Sequence, residues 1–246
     1  MLVLGFDTAA GAVSAALHDG DQVVAAAFTV DARRHAELLT PMIAKVMADA
    51  GAARGDLTAV AVGVGPGPYT GLRVGVMTAR VLGSVLDVPV YGVCSLDVIA
   101  AAVTTGDAEF LVATDARRKE VYWARYAAAG TTAAGTTAAG TTVAGTTAAG
   151  PGGAARDRAR AVIRSEGPAV GRADSIPGAT ELAVAGAGGQ LYREAFATVI
   201  GPAHPDARTL CEIVVGHQAP LLAPEPLYLR RPDAREPGPP KRVTPP

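Results

Sequence analysis

Chemistry in this chain has few places to reside. Its four histidines, His18, His35, His204 and His217, are at least thirteen positions apart, so no two sit at the four-residue spacing that grips one metal from a helix face. Two cysteines, Cys94 and Cys211, stand in apolar surroundings and read as reduced buried thiols, too few for a disulfide framework or a ligand cluster. Ser14, Ser84, Ser95, Ser165 and Ser175 lie outside any G-x-S-x-G elbow. The most distinctive stretch is "GVGPGPYTGLRVG", residues 63–75. It lacks the G-K-[ST] of a P-loop, and Thr70 occupies the place of the third glycine of a dinucleotide fingerprint. A strand-to-helix turn of this kind can bind an anion or serve as a structural corner. Gly65, Pro66, Gly67, Thr70 and Gly71 read here as a structural loop, with Thr70 as the helix cap.

The elements that must hold this loop follow from periodicity. Three short apolar runs, 2–6, 12–17 and 22–30, with "DG" at 19–20, predict antiparallel strands. A helix is expected over about 33–50, where Leu38, Leu39, Met42, Ile43, Val46 and Met47 recur at helical spacing. Then come a strand at 58–64, the glycine loop, a helix to Leu86, a strand at 89–93 and a helix at 95–103 capped by Ser95. The pattern restarts in "EFLVATDARRKEVYWARY": Val121 follows Asp115 by six residues, as Val13 follows Asp7. An internally duplicated α/β fold is the expectation. Further on, "ELAVAGAGG" predicts a strand and glycine turn, "QLYREAFATV" a helix, and "PDARTLCEIVVGH" a helix capped near Asp206.

Composition limits the function classes. Hydrophobic residues are 49% of 246, enough for a core, and aromatics only 4%. Lys plus Arg total 22 against 23 Asp plus Glu, so the basic excess of a free-standing nucleic-acid binder is missing, though a local patch is not excluded. No basic leader and no apolar run of membrane-spanning length occur, which points to the cytoplasm and to no membrane partner. Residues 127–155 hold only Ala, Gly, Thr, Val and Pro in "GTTAA" units and read as a flexible insertion. Three parts are expected: 1–106, 107–231 and a disordered Pro-rich tail, 232–246.

"GPGPYTGLRVGV" resembles the signature of the TsaB (YeaZ) family, with Pro68 and Tyr69 in place of the usual Ser and Phe. "LGFDTA" (4–9), "RRHAELLTPMI" (33–43), "ATDARRKEVYWARY" (113–126) and "PLYLR" (226–230) resemble the family's other blocks in the same order. The resemblance implies an actin-like/Hsp70/sugar-kinase (ASKHA, ribonuclease H-like) architecture: two α/β subdomains, each a mixed sheet flanked by helices. It also implies a non-catalytic partner of TsaD, the subunit that transfers threonylcarbamoyl to the adenosine beside the tRNA anticodon. The ATPase TsaE would join the complex, and tRNA would be engaged indirectly. An ATP-dependent kinase or ATPase of the same fold is the alternative, with a glycoprotease-like peptidase behind it.

In that superfamily the first hairpin and a glycine turn hold nucleotide. Asp7, Thr8, Asp115, Gly186 and Gly188 match these places, but Ala9 and Ala10 replace polar donors and Arg117 crowds the second hairpin. The site reads as vestigial: no metal, no required cofactor, and at most weak ATP or ADP binding. Asp7 and Asp115 could equally serve only their turns. Partner binding is assigned to His35, Leu38, Leu39, Met42, Ile43 and Val46 on the first helix. On the second it is assigned to Arg73, Gly75, Met77, Ala79 and Gly83, where methionine and a small-residue groove suit helix docking. The resemblance implies pairing with TsaD, or with a second copy when alone, through these two helices.

Overall fold

The short Val- and Ala-rich runs assemble into two five-stranded sheets. In the computed structural model, which describes residues 1–104, 108–128 and 160–230, β1 (Val3–Asp7) pairs antiparallel with β2 (Ala12–His18). β2 in turn pairs antiparallel with β3 (Val23–Val30). On its other side β1 runs parallel to β4 (Ala59–Gly63), and β4 to β5 (Val90–Val93). The second sheet repeats this plan. β6 (Phe110–Asp115) is antiparallel to β7 (Glu120–Ala128), which is antiparallel to β8 (Val162–Arg172). β6 is parallel to β9 (Ala183–Ala185), and β9 to β10 (Thr198–Val199). The orders, β3-β2-β1-β4-β5 and β8-β7-β6-β9-β10, are the same topology written twice. That is the duplicated actin-like fold.

Helices cover both faces of the first sheet, which is why β1, β2 and β4 are buried along their whole length rather than on alternate residues. On one face lie α1 (His35–Asp49) and α2 (Tyr69–Leu86), burying Leu39, Val46, Leu72 and Val76. Between the sheets runs α3 (Ser95–Ala101), whose Leu96 and Ile99 pack with Phe110, Val112 and Tyr126 of the second sheet. α4 (Ala187–Leu191) is a single turn after β9.

Several expectations need correction. The sequence division at 106/107 is not a division of layers: α5 (Ala207–Gly216) lies late in the chain but packs on β1 and β2. Its Leu210, Cys211, Ile213 and Val214 share a core with Val3, Ala16, Ala59 and Ala61, because the open face of the first sheet offers the apolar area they need. The helix expected over 190–199 is α4, a 3-10 turn (Arg193–Ala195) and β10. Ser95 is not the cap of α3; Cys94 occupies that position and Ser95 is the first helical residue. β8 and β10 were not anticipated, since "SEGPAVGR" carries Gly and Pro inside the strand. Of the insertion expected over 127–155, Ala127 and Ala128 belong to β7 and the rest lies outside the described residues, as does the tail expected over 232–246.

Candidate functional site

The glycine loop is pressed onto the first hairpin. A Cβ at Gly67 would lie 1.8 Å from the Ala9 carbonyl oxygen, and one at Gly71 would lie 2.4 Å from that of Thr8. Only glycine allows two backbones so close. Thr8 donates its hydroxyl to the Gly71 carbonyl at 2.7 Å, the Ser95 amide donates to Gly65 O at 2.7 Å, and the Leu227 amide to Val64 O at 2.8 Å. The loop thus ties hairpin, α3 and closing segment together. Thr70 does not cap α2: the N-cap is Pro68 without a side-chain bond, and Thr70 is exposed in the first turn.

Asp7 is fully buried. Oδ1 accepts from the Ala9 amide at 2.7 Å and Oδ2 from Ser95 Oγ at 2.6 Å. Burial pushes its carboxyl up from the ordinary value, against the lowering effect of those bonds and of His35. In the second half Asp115 Oδ1 accepts from the Arg117 amide at 2.8 Å, the same turn geometry, but here the carboxylate is half-exposed and its neighbour Arg117 is 3.6 Å from Oδ2. Gly186 and Gly188 lie against the backbone of Ala113, where Cβ atoms would meet it at 2.1 and 2.9 Å. Of the five residues assigned to a vestigial nucleotide site, Asp7 and Thr8 lie on the first hairpin and bond Ala9, Ser95 and Gly71, Asp115 lies on the second and bonds the Arg117 amide, and Gly186 and Gly188 lie in the turn after β9.

The helix surface differs from the expectation in a way that matters. His35, Leu39, Met42 and Val46 are buried, and His35 donates Nε2–H to Ala10 O at 2.9 Å. Leu38 and Ile43 are half-buried against the same core. Gly75, Ala79 and Gly83 face inward: Cβ atoms at the two glycines would strike Thr8 Oγ1 at 2.5 Å and Val90 Cγ2 at 2.2 Å. The small-residue groove thus serves packing against the protein's own sheet, where α2 must sit close. What α2 offers to solvent is a stripe that keeps Arg73 and Met77 (47% exposed) of the partner-binding assignment and adds Tyr69 (43%), Val81 (56%) and Val85 (75%). These recur every four residues, a signal present in the sequence but outweighed by the glycine pattern beside it.

At the N-terminal end of that stripe, Tyr69 stacks on Tyr228 with centroids 5.2 Å apart. Arg73 lies over the Tyr69 ring at 5.2 Å and donates to its hydroxyl at 2.5 Å. Arg230 then donates Nη1 to Ala116 O at 2.9 Å and pairs with Glu120. Three of the sequence blocks, "GPGPYTGLR", "DARRKEVYW" and "PLYLR", are thereby joined in space. An open groove of about 900 Å³ between β3 and the start of α5, lined by Phe28, His204 and Arg208 among others, contains none of the residues assigned from sequence to the partner, nucleotide or loop sites. Among the described residues no three His, Cys, Asp or Glu side chains come together as a metal-holding group, and no helix is long and apolar enough to cross a membrane.

A twice-built mixed sheet with helices between and outside defines a member of the actin-like α/β class. The family model for TsaD, tRNA N6-adenosine threonylcarbamoyltransferase, matches residues 29–236. An uncharacterized protein of Mycobacterium tuberculosis is 42% identical over 95% of this chain and 93% of its own length. The tRNA threonylcarbamoyladenosine biosynthesis protein TsaB of Escherichia coli is 38% identical over 51% of this chain and 55% of its own. YeaZ from Pseudomonas aeruginosa, a solved structure, superposes with a TM-score of 0.68 at 25% identity, covering 93% of this chain and 99% of that one. The chain belongs to the TsaB (YeaZ) family, and its match to the TsaD model is consistent with that.

Proposed function

We propose that this chain is a subunit of tRNA threonylcarbamoyladenosine synthesis that carries no chemistry of its own and holds a TsaD-type catalytic subunit. The observation that carries this reading is the apolar stripe Met77, Val81 and Val85 on the outer face of α2, unpartnered in the isolated chain. Burying such a stripe against another apolar helix face gains about 25 cal/mol per Å². The family's named relatives supply the reaction: TsaB of Escherichia coli and of Bacillus subtilis are named as tRNA threonylcarbamoyladenosine biosynthesis proteins. A TsaE-type ATPase completes the assembly, in the cytoplasm, where tRNA is modified. Without its partner the chain pairs with a second copy through the same stripe. No bound nucleotide is needed, a reading supported by the inward engagement of Asp7 with Ser95 and Ala9.

The test is purification of a tagged chain from its source cell, followed by assay of tRNA threonylcarbamoylation with and without it. Retention of a TsaD-type protein, and modification that depends on adding this chain, are expected. A chain that stays monomeric and ignores the TsaD-type protein overturns the proposal, as does ATP turnover by the chain alone that disappears in Asp7→Ala.

A further inference from the structure

One surface of the molecule departs from its overall charge. The turn from β6 to β7 carries Arg117, Arg118 and Lys119 in succession, all exposed, with φ of 63°, 55° and 63°. Arg230 anchors the closing segment to this turn through Ala116 O. Two residues earlier, Tyr228 stacks on Tyr69, beside Arg73. Two residues of chain span at most about 7 Å, and the Arg230 side chain covers the remaining distance, so the closing segment links the tyrosine pair to the base of the basic turn. Among the described residues Arg117 pairs with Asp115 and Arg230 with Glu120, while Arg73 lies over Tyr69. Arg117, Arg118 and Lys119 are thus three consecutive exposed cationic side chains in a chain whose net charge is −1.

We propose that this patch contacts the substrate RNA directly, with backbone phosphates on Arg117, Arg118 and Lys119 and an unpaired base against the exposed Tyr69–Tyr228 pair. The proposal rests on the reading of the chain as a tRNA-modification subunit and extends it from partner holding to substrate holding. Arg and Lys side chains beside half-exposed aromatic rings are the combination that single-stranded RNA uses: charge for its backbone, ring faces for its bases. An acidic protein surface would use the cations but has no need of the tyrosines. The patch also adjoins the N-terminal end of the α2 stripe, so a catalytic subunit seated on that stripe would share the RNA with it.

The test measures binding of a fluorescent, unmodified tRNA transcript to the full chain in complex with its TsaD-type partner, from about 50 to about 200 mM salt. Arg117→Asn and Lys119→Asn are combined in one variant, because asparagine tolerates the left-handed backbone that both residues adopt. Affinity is expected to fall about tenfold, and the slope of log affinity against log salt to flatten by between about one and two units. Tyr69→Ala is expected to weaken binding about tenfold with the slope unchanged, since stacking releases no counterions. Unaltered affinity and slope in the double variant overturn the proposal, and so does a wild-type complex that retains no transcript. Loss of partner association with RNA affinity unaltered marks the patch as a protein surface and also overturns it. A chain that binds transcript in this patch-dependent way but ignores TsaD-type protein upholds the RNA site while removing the subunit reading.

Discussion

Ser95 Oγ lies 2.6 Å from Asp7 Oδ2 and donates to it, joining the first residue of α3 to the end of β1. The same hydroxyl accepts from the Gly65 amide at 3.2 Å. A carboxylate that could have faced a nucleotide is instead part of the fold's own wiring. Ser95→Ala leaves a buried carboxylate oxygen and a buried amide without this partner. Thermal or denaturant unfolding should show a loss of about 1–3 kcal/mol.

Burial raises the Asp7 carboxyl above its ordinary value near 3.8, so the folded state favours the protonated form. As pH rises, the unfolded chain ionises first and Asp7's contribution to stability falls until the folded-state carboxyl has titrated as well. Asp7→Asn removes this dependence. The stability of the wild type relative to Asp7→Asn should therefore decline as pH is raised from below about 3.8, as read from unfolding midpoints. A difference that stays flat, or that grows with pH, contradicts the assignment.

Partner binding should be sensitive to the outer face of α2, which holds Arg73 and Met77 of the residues assigned from sequence, and not to the assigned residues that are buried. Val81→Asp and Met77→Asp are exposed changes, expected to keep stability within about 0.5 kcal/mol. Association with the TsaD-type subunit should weaken at least tenfold, measured by titration calorimetry or analytical ultracentrifugation, an effect of about 1.4 kcal/mol. Val46→Asp buries a charge in the core and should unfold the chain, which would abolish binding for an uninformative reason.

The seam between the halves holds a buried polar cluster: Tyr126 donates to Asp97 Oδ1 at 2.6 Å, and Arg164 Nη1 lies 3.3 Å from the same oxygen. Burial drives the Tyr126 hydroxyl upward, with the Asp97 charge adding to it, so the phenol stays protonated and able to donate. Tyr126→Phe should cost about 1–3 kcal/mol in unfolding experiments. A neutral outcome would mean that Arg164 alone satisfies Asp97.

Both cysteines should be silent toward alkylating reagents in the native protein. Burial pushes the Cys94 thiol to about 12 and raises Cys211 as well, so neither supplies thiolate at neutral pH. Mass spectrometry after iodoacetamide treatment should show no labelling when folded and two labels after denaturation. Labelling of the folded protein would mean that α3 or α5 opens readily.

Sequence alone determined the repeat and its order. Asp7 and Asp115 each begin the same six-residue spacing to the next apolar strand; apolar runs and turn residues carried a duplicated α/β fold, and the ordered blocks, through the family resemblance, its actin-like architecture. Such signals are local, written in periods of two and 3.6 residues within a window. Tertiary structure alone decided which side of each helix is inside. Gly75, Ala79 and Gly83 look like a docking groove in one dimension, yet they meet Thr8 and Val90 of the protein's own sheet, while Met77, Val81 and Val85 are left outside. It also decided that α5 belongs to the first sheet and that Tyr69, Arg73 and Tyr228 meet. These are contacts between residues far apart in the chain. A helical period states that a stripe exists, but which stripe faces inward depends on the surface it finds there.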